Sequence, residues 1–77
     1  METRPLGDMR AVRARLVNAG YPSVRAWAQA HGYLPVTVRR TIHWWGMRTD
    51  QPLGGIGRQI IADLRKTVDA GDGRHVA

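Results

Sequence analysis

Arginine dominates the side chains of this sequence that could bind a ligand. The 77 residues include 12 lysines and arginines against 6 acidic residues, and Lys66 is the single lysine. A guanidinium group presents a planar fork of donors that matches a phosphate or the edge of a guanine, whereas the lysine ammonium is a point charge. Residues 1–48 carry eight arginines and two acidic residues, whereas residues 49–77 carry four charges of each sign. This concentration of positive charge predicts a polyanionic partner, of which nucleic acid is the usual one.

Other chemistries lack the residues that they need. The chain has three histidines and no cysteine, and its six carboxylates show no paired spacing that suits acid–base catalysis. Gly54, Gly55 and Gly57 are not followed by the lysine and hydroxyl residue of a phosphate-binding loop. We therefore expect no enzyme activity, no metal or other cofactor and no small-molecule ligand.

The hydropathy pattern predicts where the protein is found. No apolar stretch approaches the roughly 18 residues that span a bilayer, and no segment resembles a signal peptide. The absence of cysteine fits a reducing compartment. We expect a soluble, cytoplasmic protein of a bacterial cell that is associated with the nucleoid and makes no membrane contact.

Residues that favour helix ends divide the chain into four predicted helices. Asp8 and Ser23 have side chains that cap helix N-termini, and Pro35 suits the first turn of a helix. Gly20 and Gly32 suit the left-handed residue that follows a helix. The predicted helices cover residues 9–19, 24–31, 35–45 and 56–70.

Residues 8–70 are predicted to form one domain between a flexible N-terminal arm (1–7) and a flexible C-terminal tail (71–77). Each predicted helix carries apolar residues at spacings of three and four, which form one stripe along it. The predicted core positions are Met9, Val12, Leu16, Ala19, Val24, Trp27, Ala28, Leu34, Val38, Ile42, Trp45, Ile56, Ile60, Ile61, Leu64 and Val68. Four such stripes predict an all-α fold, a compact four-helix bundle.

The second and third predicted helices have the features of a helix-turn-helix. Ala28 is small where the two helices would cross closely, and Gly32 permits the tight turn between them. Val38 would pack the third helix against the domain, so that its opposite face could enter the major groove of DNA. The recognition helix would then run over residues 35–45.

The same region resembles a family of small phage regulators. The residues that carry the resemblance are the run SVRAWAQAHGYLPVTVRRTI and the later run PLGGIGRQIIADL. They are similar to the Ner repressors of transposable phages and to the anti-CRISPR-associated repressors, over residues 16–68. The resemblance implies a lambda-repressor-like bundle, operator binding and repression near the protein's own promoter.

Eight residues are candidates for contact with DNA. They are Ser23, Arg25, Val36, Thr37, Arg39, Arg40, His43 and Arg48. Arg39 and Arg40 are predicted to read base edges, because arginine is the commonest partner of guanine. Val36 and Thr37 lie at the start of the helix, where base contacts cluster, and could meet a thymine methyl group or a phosphate.

The remaining candidates are predicted to contact the phosphate backbone. Arg25 and Arg48 flank the unit and would act as phosphate clamps. Ser23 caps its helix and could also bring the backbone donors there to a phosphate. For His43, backbone contact and a plain surface histidine remain open, and for Trp44 a dimer contact is one possibility.

Together these features predict a sequence-specific regulator that binds double-stranded DNA. It would be a repressor at its own or a neighbouring promoter of a phage or other mobile element, acting as a homodimer on an inverted-repeat operator. Two alternatives remain open. A basic helical adaptor would use the outer face of residues 36–44 to bind an acidic protein partner. An excisionase-like architectural protein would bend DNA and occupy several adjacent sites.

Overall fold

Short-range capping bonds define where the first two helices begin. The Asp8 carboxylate accepts a hydrogen bond from the Ala11 N–H at 2.8 Å. The Ser23 hydroxyl accepts one from the Ala26 N–H at 3.0 Å. Each bond satisfies a backbone donor that the first turn of a helix leaves without an internal partner. Both residues are therefore the N-caps that the sequence predicted.

The computed structural model describes residues 5–48, 50 and 54–73, with side chains as far as residue 71. The helices are α1 (Met9–Asn18), α2 (Val24–Ala30), α3 (Pro35–Trp45) and α4 (Gly55–Gly73). No strand occurs in the described ranges, which confirms the predicted all-α class. None of these four helices is long and apolar enough to cross a membrane.

Glycine ends both α1 and α2. Gly20 has a φ of +102° and Gly32 a φ of +77°, a backbone conformation that residues with a Cβ rarely adopt. In each turn the N–H of the following tyrosine returns to a carbonyl five residues earlier. These bonds run from Tyr21 to Leu16 at 2.9 Å and from Tyr33 to Ala28 at 2.8 Å. The chain thus reverses sharply after each helix, as the glycines predicted, and carbonyls at the helix ends remain bonded.

The helices enclose a single apolar cluster. Its buried members are Leu6, Val12, Leu16, Val24, Trp27, Ala28, Val38, Ile42, Ile60, Ile61, Leu64 and Val68. Met9 and Trp45 pack against it and are partly buried. The helical stripes read from the sequence therefore supply almost the whole core.

Two of the predicted core residues are exposed. Leu34 retains 69% of its accessible surface and Ile56 retains 54%. Each stands at the start of its helix, one turn before the first buried residue of the same stripe, which is Val38 in α3 and Ile60 in α4. Helical periodicity gives the direction in which a side chain points, but it does not say how far the neighbouring helices extend to cover it.

The end of the predicted N-terminal arm is part of the domain. Leu6 is buried in the core, with 2% of its surface accessible. The Gly7 N–H donates a hydrogen bond to the Gly46 carbonyl at 2.8 Å, which ties this segment to the end of α3. Leu6 and Gly7 of the predicted arm thus contact the domain, and the sequence pattern does not reveal this because a single leucine outside any helix has no periodicity. Residues 1–4 lie outside the described part of the chain.

The predicted C-terminal tail is likewise helical where it is described. Helix α4 continues to Gly73, three residues beyond its predicted end. Gly71 is buried, and a Cβ at this position would lie 2.8 Å from the Cβ of Ala19. Gly71 therefore packs closely against the end of α1, a contact that the sequence of α4 alone does not show. Residues 74–77 lie outside the described part of the chain.

Replacing Gly46 by alanine should destabilise the fold by about 1–3 kcal/mol, the usual cost of overpacking. The added Cβ would overlap the Gly7 carbonyl oxygen and lie 2.6 Å from the Ile42 carbonyl oxygen, so backbone would have to move. Gly54→Ala is the matched control, because its Cβ would meet nothing within 4 Å. We expect that control to change the free energy of unfolding by less than about 0.5 kcal/mol. Urea unfolding measures both, and equal midpoints would contradict the proposed contact.

Candidate nucleic-acid interface

Helix α3 has a buried face and a charged outer face. Val38, Thr41 and Ile42 are buried, with 0%, 7% and 1% of their surfaces accessible. The opposite side carries residues that are all exposed, namely Val36, Arg39, Arg40, His43 and Trp44. Residues three and four apart are neighbours on a helix, so these five side chains form one continuous surface. We call this surface the α3 outer face.

Local interactions keep α3 regular while one side of it stays in the core. Pro35 occupies the first turn, where its missing N–H costs nothing. The buried Thr41 hydroxyl donates to the Thr37 carbonyl at 2.8 Å, so this polar group has a partner inside its own helix. Thr37, predicted to contact DNA, is half-buried at the edge of the α3 outer face.

The α3 outer face contains no acidic residue of its own. No aspartate or glutamate occurs in the sequence between Asp8 and Asp50. Among the residues that the structure describes, Arg39 and Arg40 form no hydrogen bond or ion pair with another residue. Both guanidinium groups are therefore exposed donors with their full charge available to an anionic partner.

The predicted phosphate clamps differ in their surroundings. Arg25 is exposed on α2, and Ser23 at the start of α2 uses its hydroxyl as the helix cap. Arg48 lies three residues beyond the end of α3 and forms a bidentate ion pair with Asp50. Its guanidinium carbon also lies 4.5 Å from the centre of the Trp45 ring. Arg48 is thus already occupied in the free protein, which the sequence did not predict.

His43 and Trp44 lie near the C-terminal end of the α3 outer face. Their rings meet edge to face, with centroids 5.7 Å apart. Trp44 leaves 64% of its surface accessible, which makes it one of the largest exposed apolar side chains described. Trp44 thus lies exposed on the same face as the arginines.

A polar network holds α2 and the following turn against α4. Trp27 is fully buried, and its indole N–H donates to the Thr67 hydroxyl at 2.9 Å. The Thr67 hydroxyl in turn donates to the Asp63 carbonyl at 3.0 Å. The Tyr33 hydroxyl donates to the Asp63 carboxylate, and this third bond holds a residue that lies two positions before the start of α3 at Pro35. The network therefore positions α3 relative to the rest of the core.

Aromatic rings complete this anchor. The rings of His31 and Tyr33 both stack on Trp27, with centroids 4.4 and 5.8 Å away. Sequence reasoning singled out Trp27 as a core residue but missed the parts played by His31, Tyr33, Asp63 and Thr67. The grouping of three ring-bearing residues around Gly32 could have indicated His31 and Tyr33, but it does not point to Asp63 or Thr67.

No group of three or more metal-binding side chains occurs within the described ranges. Comparisons of the chain with protein-family models, with curated proteins and with solved structures found no match. The chemistry of the α3 outer face is therefore the basis for assigning a function.

The Tyr33 hydroxyl should titrate far above an ordinary tyrosine. Burial, together with the hydrogen bond to Asp63 and the charge of that carboxylate, raises the pKa of Tyr33 from 10.0 to about 12. Because the folded-state pKa is the higher one, the interaction stabilises the fold fully below pH 10 and loses its contribution as the pH rises towards about 12. Tyr21→Phe leaves Tyr33 as the only tyrosine, so tyrosinate absorbance follows it directly.

The Asp63→Asn substitution tests whether the carboxylate of Asp63 contributes to the raised pKa of Tyr33. We expect it to lower the pKa of Tyr33 in the Tyr21→Phe background, because the carboxylate charge is removed while burial remains. A midpoint near pH 10 for Tyr33 with Asp63 intact would contradict the interaction with that carboxylate.

Proposed function

We propose that the protein is a sequence-specific regulator that binds double-stranded DNA. In this proposal α2, the turn at Gly32 and α3 form a helix-turn-helix, and α3 enters the major groove. The observation that carries the proposal is the α3 outer face, where Arg39 and Arg40 are exposed and uncompensated within the described part of the chain. Its opposite side is firmly packed, so the helix can present these residues without distorting the domain.

The dimensions and residue types of α3 suit the major groove. A helix with its side chains is about 10–12 Å across, and the groove is about 12 Å wide. Arg39 and Arg40 supply the donors that guanine N7 and O6 accept. Val36, with 60% of its surface accessible, supplies an apolar contact for a thymine methyl group. Arg25, on the preceding helix, is available to a phosphate oxygen.

The biological setting follows from the family resemblance. The Ner-like runs in the sequence support repression at the protein's own or a neighbouring promoter of a phage or other mobile element. A homodimer would place two copies of α3 in successive major grooves, about 34 Å apart, on an inverted repeat.

Selection of duplexes from a random-sequence pool tests the proposal. We expect enrichment of one motif, arranged as an inverted repeat with half-sites about 10 base pairs apart. The enriched duplex should resist competition by scrambled DNA in a gel-shift titration, and its binding should weaken steeply with salt. Failure to enrich any sequence at moderate salt would overturn sequence-specific binding, and enrichment of single half-sites bound by monomers would overturn the dimer.

Substitutions at Arg40 distinguish base reading from simple charge. Arg40→Ala should weaken binding to the selected duplex by about 1–3 kcal/mol and relax the preference at one base pair. Arg40→Lys keeps the charge but loses the bidentate fork, so it should retain the salt dependence and still relax that preference. Lys66→Ala is the control, because Lys66 is an exposed cation on α4. Equal losses for Arg40→Ala on selected and scrambled DNA would show that Arg40 contacts phosphate instead.

A protein-binding adaptor is the second candidate, and one observation favours it. Trp44 and Val36 leave 64% and 60% of their surfaces accessible beside the arginines. Exposed tryptophan and arginine are the residue types that anchor protein interfaces. This function predicts that Trp44→Ala leaves DNA binding unchanged and abolishes capture of an acidic protein.

A further inference from the structure

The guanidinium of Arg48 is held on two sides in the free protein. Its Nε donates to Asp50 Oδ1 at 2.8 Å and its terminal nitrogen donates to Oδ2 at 2.6 Å. The same group lies over the Trp45 ring, 4.5 Å from its centre. Trp45 is itself partly buried against the core. Arg48 is therefore held next to the C-terminal end of α3 and does not extend freely into solvent.

Asp50 uses the donors that a nucleic-acid phosphate would use. A carboxylate and a phosphodiester both offer two oxygens to the planar fork of arginine, and both bind it in parallel pairs. Asp50 occupies the edge formed by Nε and one terminal nitrogen, so a phosphate that binds this edge has to displace it. The side chains of Arg48 and Asp50 each leave 55% of their surface accessible, so a phosphate can reach the pair from solvent. Ion pairs this exposed are weak, which makes exchange feasible.

We propose that Arg48 is a phosphate-binding site for the DNA backbone and that Asp50 is its built-in competitor. This inference rests on the proposed DNA-binding function. When a phosphodiester displaces Asp50, the guanidinium keeps its place on Trp45 and exchanges one anion for another. The exchange reduces the sequence-independent part of the affinity for DNA, because a phosphate contact at Arg48 forms only when the ion pair with Asp50 is broken. Base contacts from the α3 outer face then contribute a larger share of the total affinity, so binding depends more strongly on the DNA sequence.

Removing the competitor should strengthen binding to DNA of any sequence. We expect Asp50→Asn to raise the affinity for a random-sequence duplex by roughly three- to tenfold at moderate salt, as for a gained phosphate contact. Asp69→Asn is the matched control, since Asp69 is an exposed carboxylate on α4 and its loss changes the net charge equally. The plot of log affinity against log salt should become steeper by up to about 0.9 for Asp50→Asn. The slope for Asp69→Asn should stay close to that of the unaltered protein.

A double-mutant cycle shows whether Asp50 acts through Arg48. In an Arg48→Gln background, Asp50→Asn should give no more affinity than Asp69→Asn does. In the Asp50→Asn background, Trp45→Phe should retain the gain and Trp45→Leu should lose it, because only phenylalanine offers a ring to the guanidinium. Equal gains for Asp50→Asn and Asp69→Asn, or a gain that persists without Arg48, would overturn the inference.

The random-sequence duplex separates this test from that of the proposed function. It needs no operator, so the Asp50 effect is measurable even if selection enriches no motif. A missing motif with an intact Asp50 effect would overturn sequence-specific regulation alone. A clear motif without an Asp50 effect would overturn the competitor alone.

Discussion

The buried indole of Trp27 is the constraint on which the rest of the structure depends. A buried N–H without a partner costs about 1–3 kcal/mol, a large fraction of the stability of so small a domain. Trp27 meets this requirement by donating to Thr67 on α4, at a separation of 40 residues along the chain. The bond, together with the stacked rings of His31 and Tyr33, holds α2 and its turn against the last helix. A 77-residue chain buries little surface, so one such anchor carries much of the tertiary order.

The contacts around Trp27 hold α3 in place although its outer face carries like charges. Adjacent exposed cations such as Arg39 and Arg40 repel one another, and neither is paired with an acidic side chain of the described residues. The helix keeps its position because Val38 and Ile42 are buried on the other side and because both of its ends are fixed. The Tyr33 bond to Asp63 fixes the start, while the Gly7–Gly46 bond fixes the end. A positive surface that is not paired internally, on a helix held at both ends, suits the binding of a polyanion because its charges are already in position.

Much of the local structure could be predicted from residue types alone. Asp8 and Ser23 cap helices, and Gly20 and Gly32 adopt positive φ, because these outcomes depend on interactions within a few residues. The core stripes also follow from spacing, except at the helix starts. The arrangement of these helices as a four-helix bundle with a helix-turn-helix stays a prediction, and so do all the DNA contacts.

The sequence by itself determined the four helices, the Asp8 and Ser23 caps, most of the residues facing the core and the concentration of arginine ahead of residue 49, since short-range chemistry and helical period encode all of these. Only the tertiary structure decided which side chains meet across the domain. The burial of Leu6, the contact of Gly71 with Ala19 and the pairing of Tyr33 with Asp63 each join segments distant in sequence. The physical reason is that such contacts depend on how helices of particular lengths pack around one core. A single sequence contains no local signal for that packing, because each partner alone looks like an ordinary helix or loop residue.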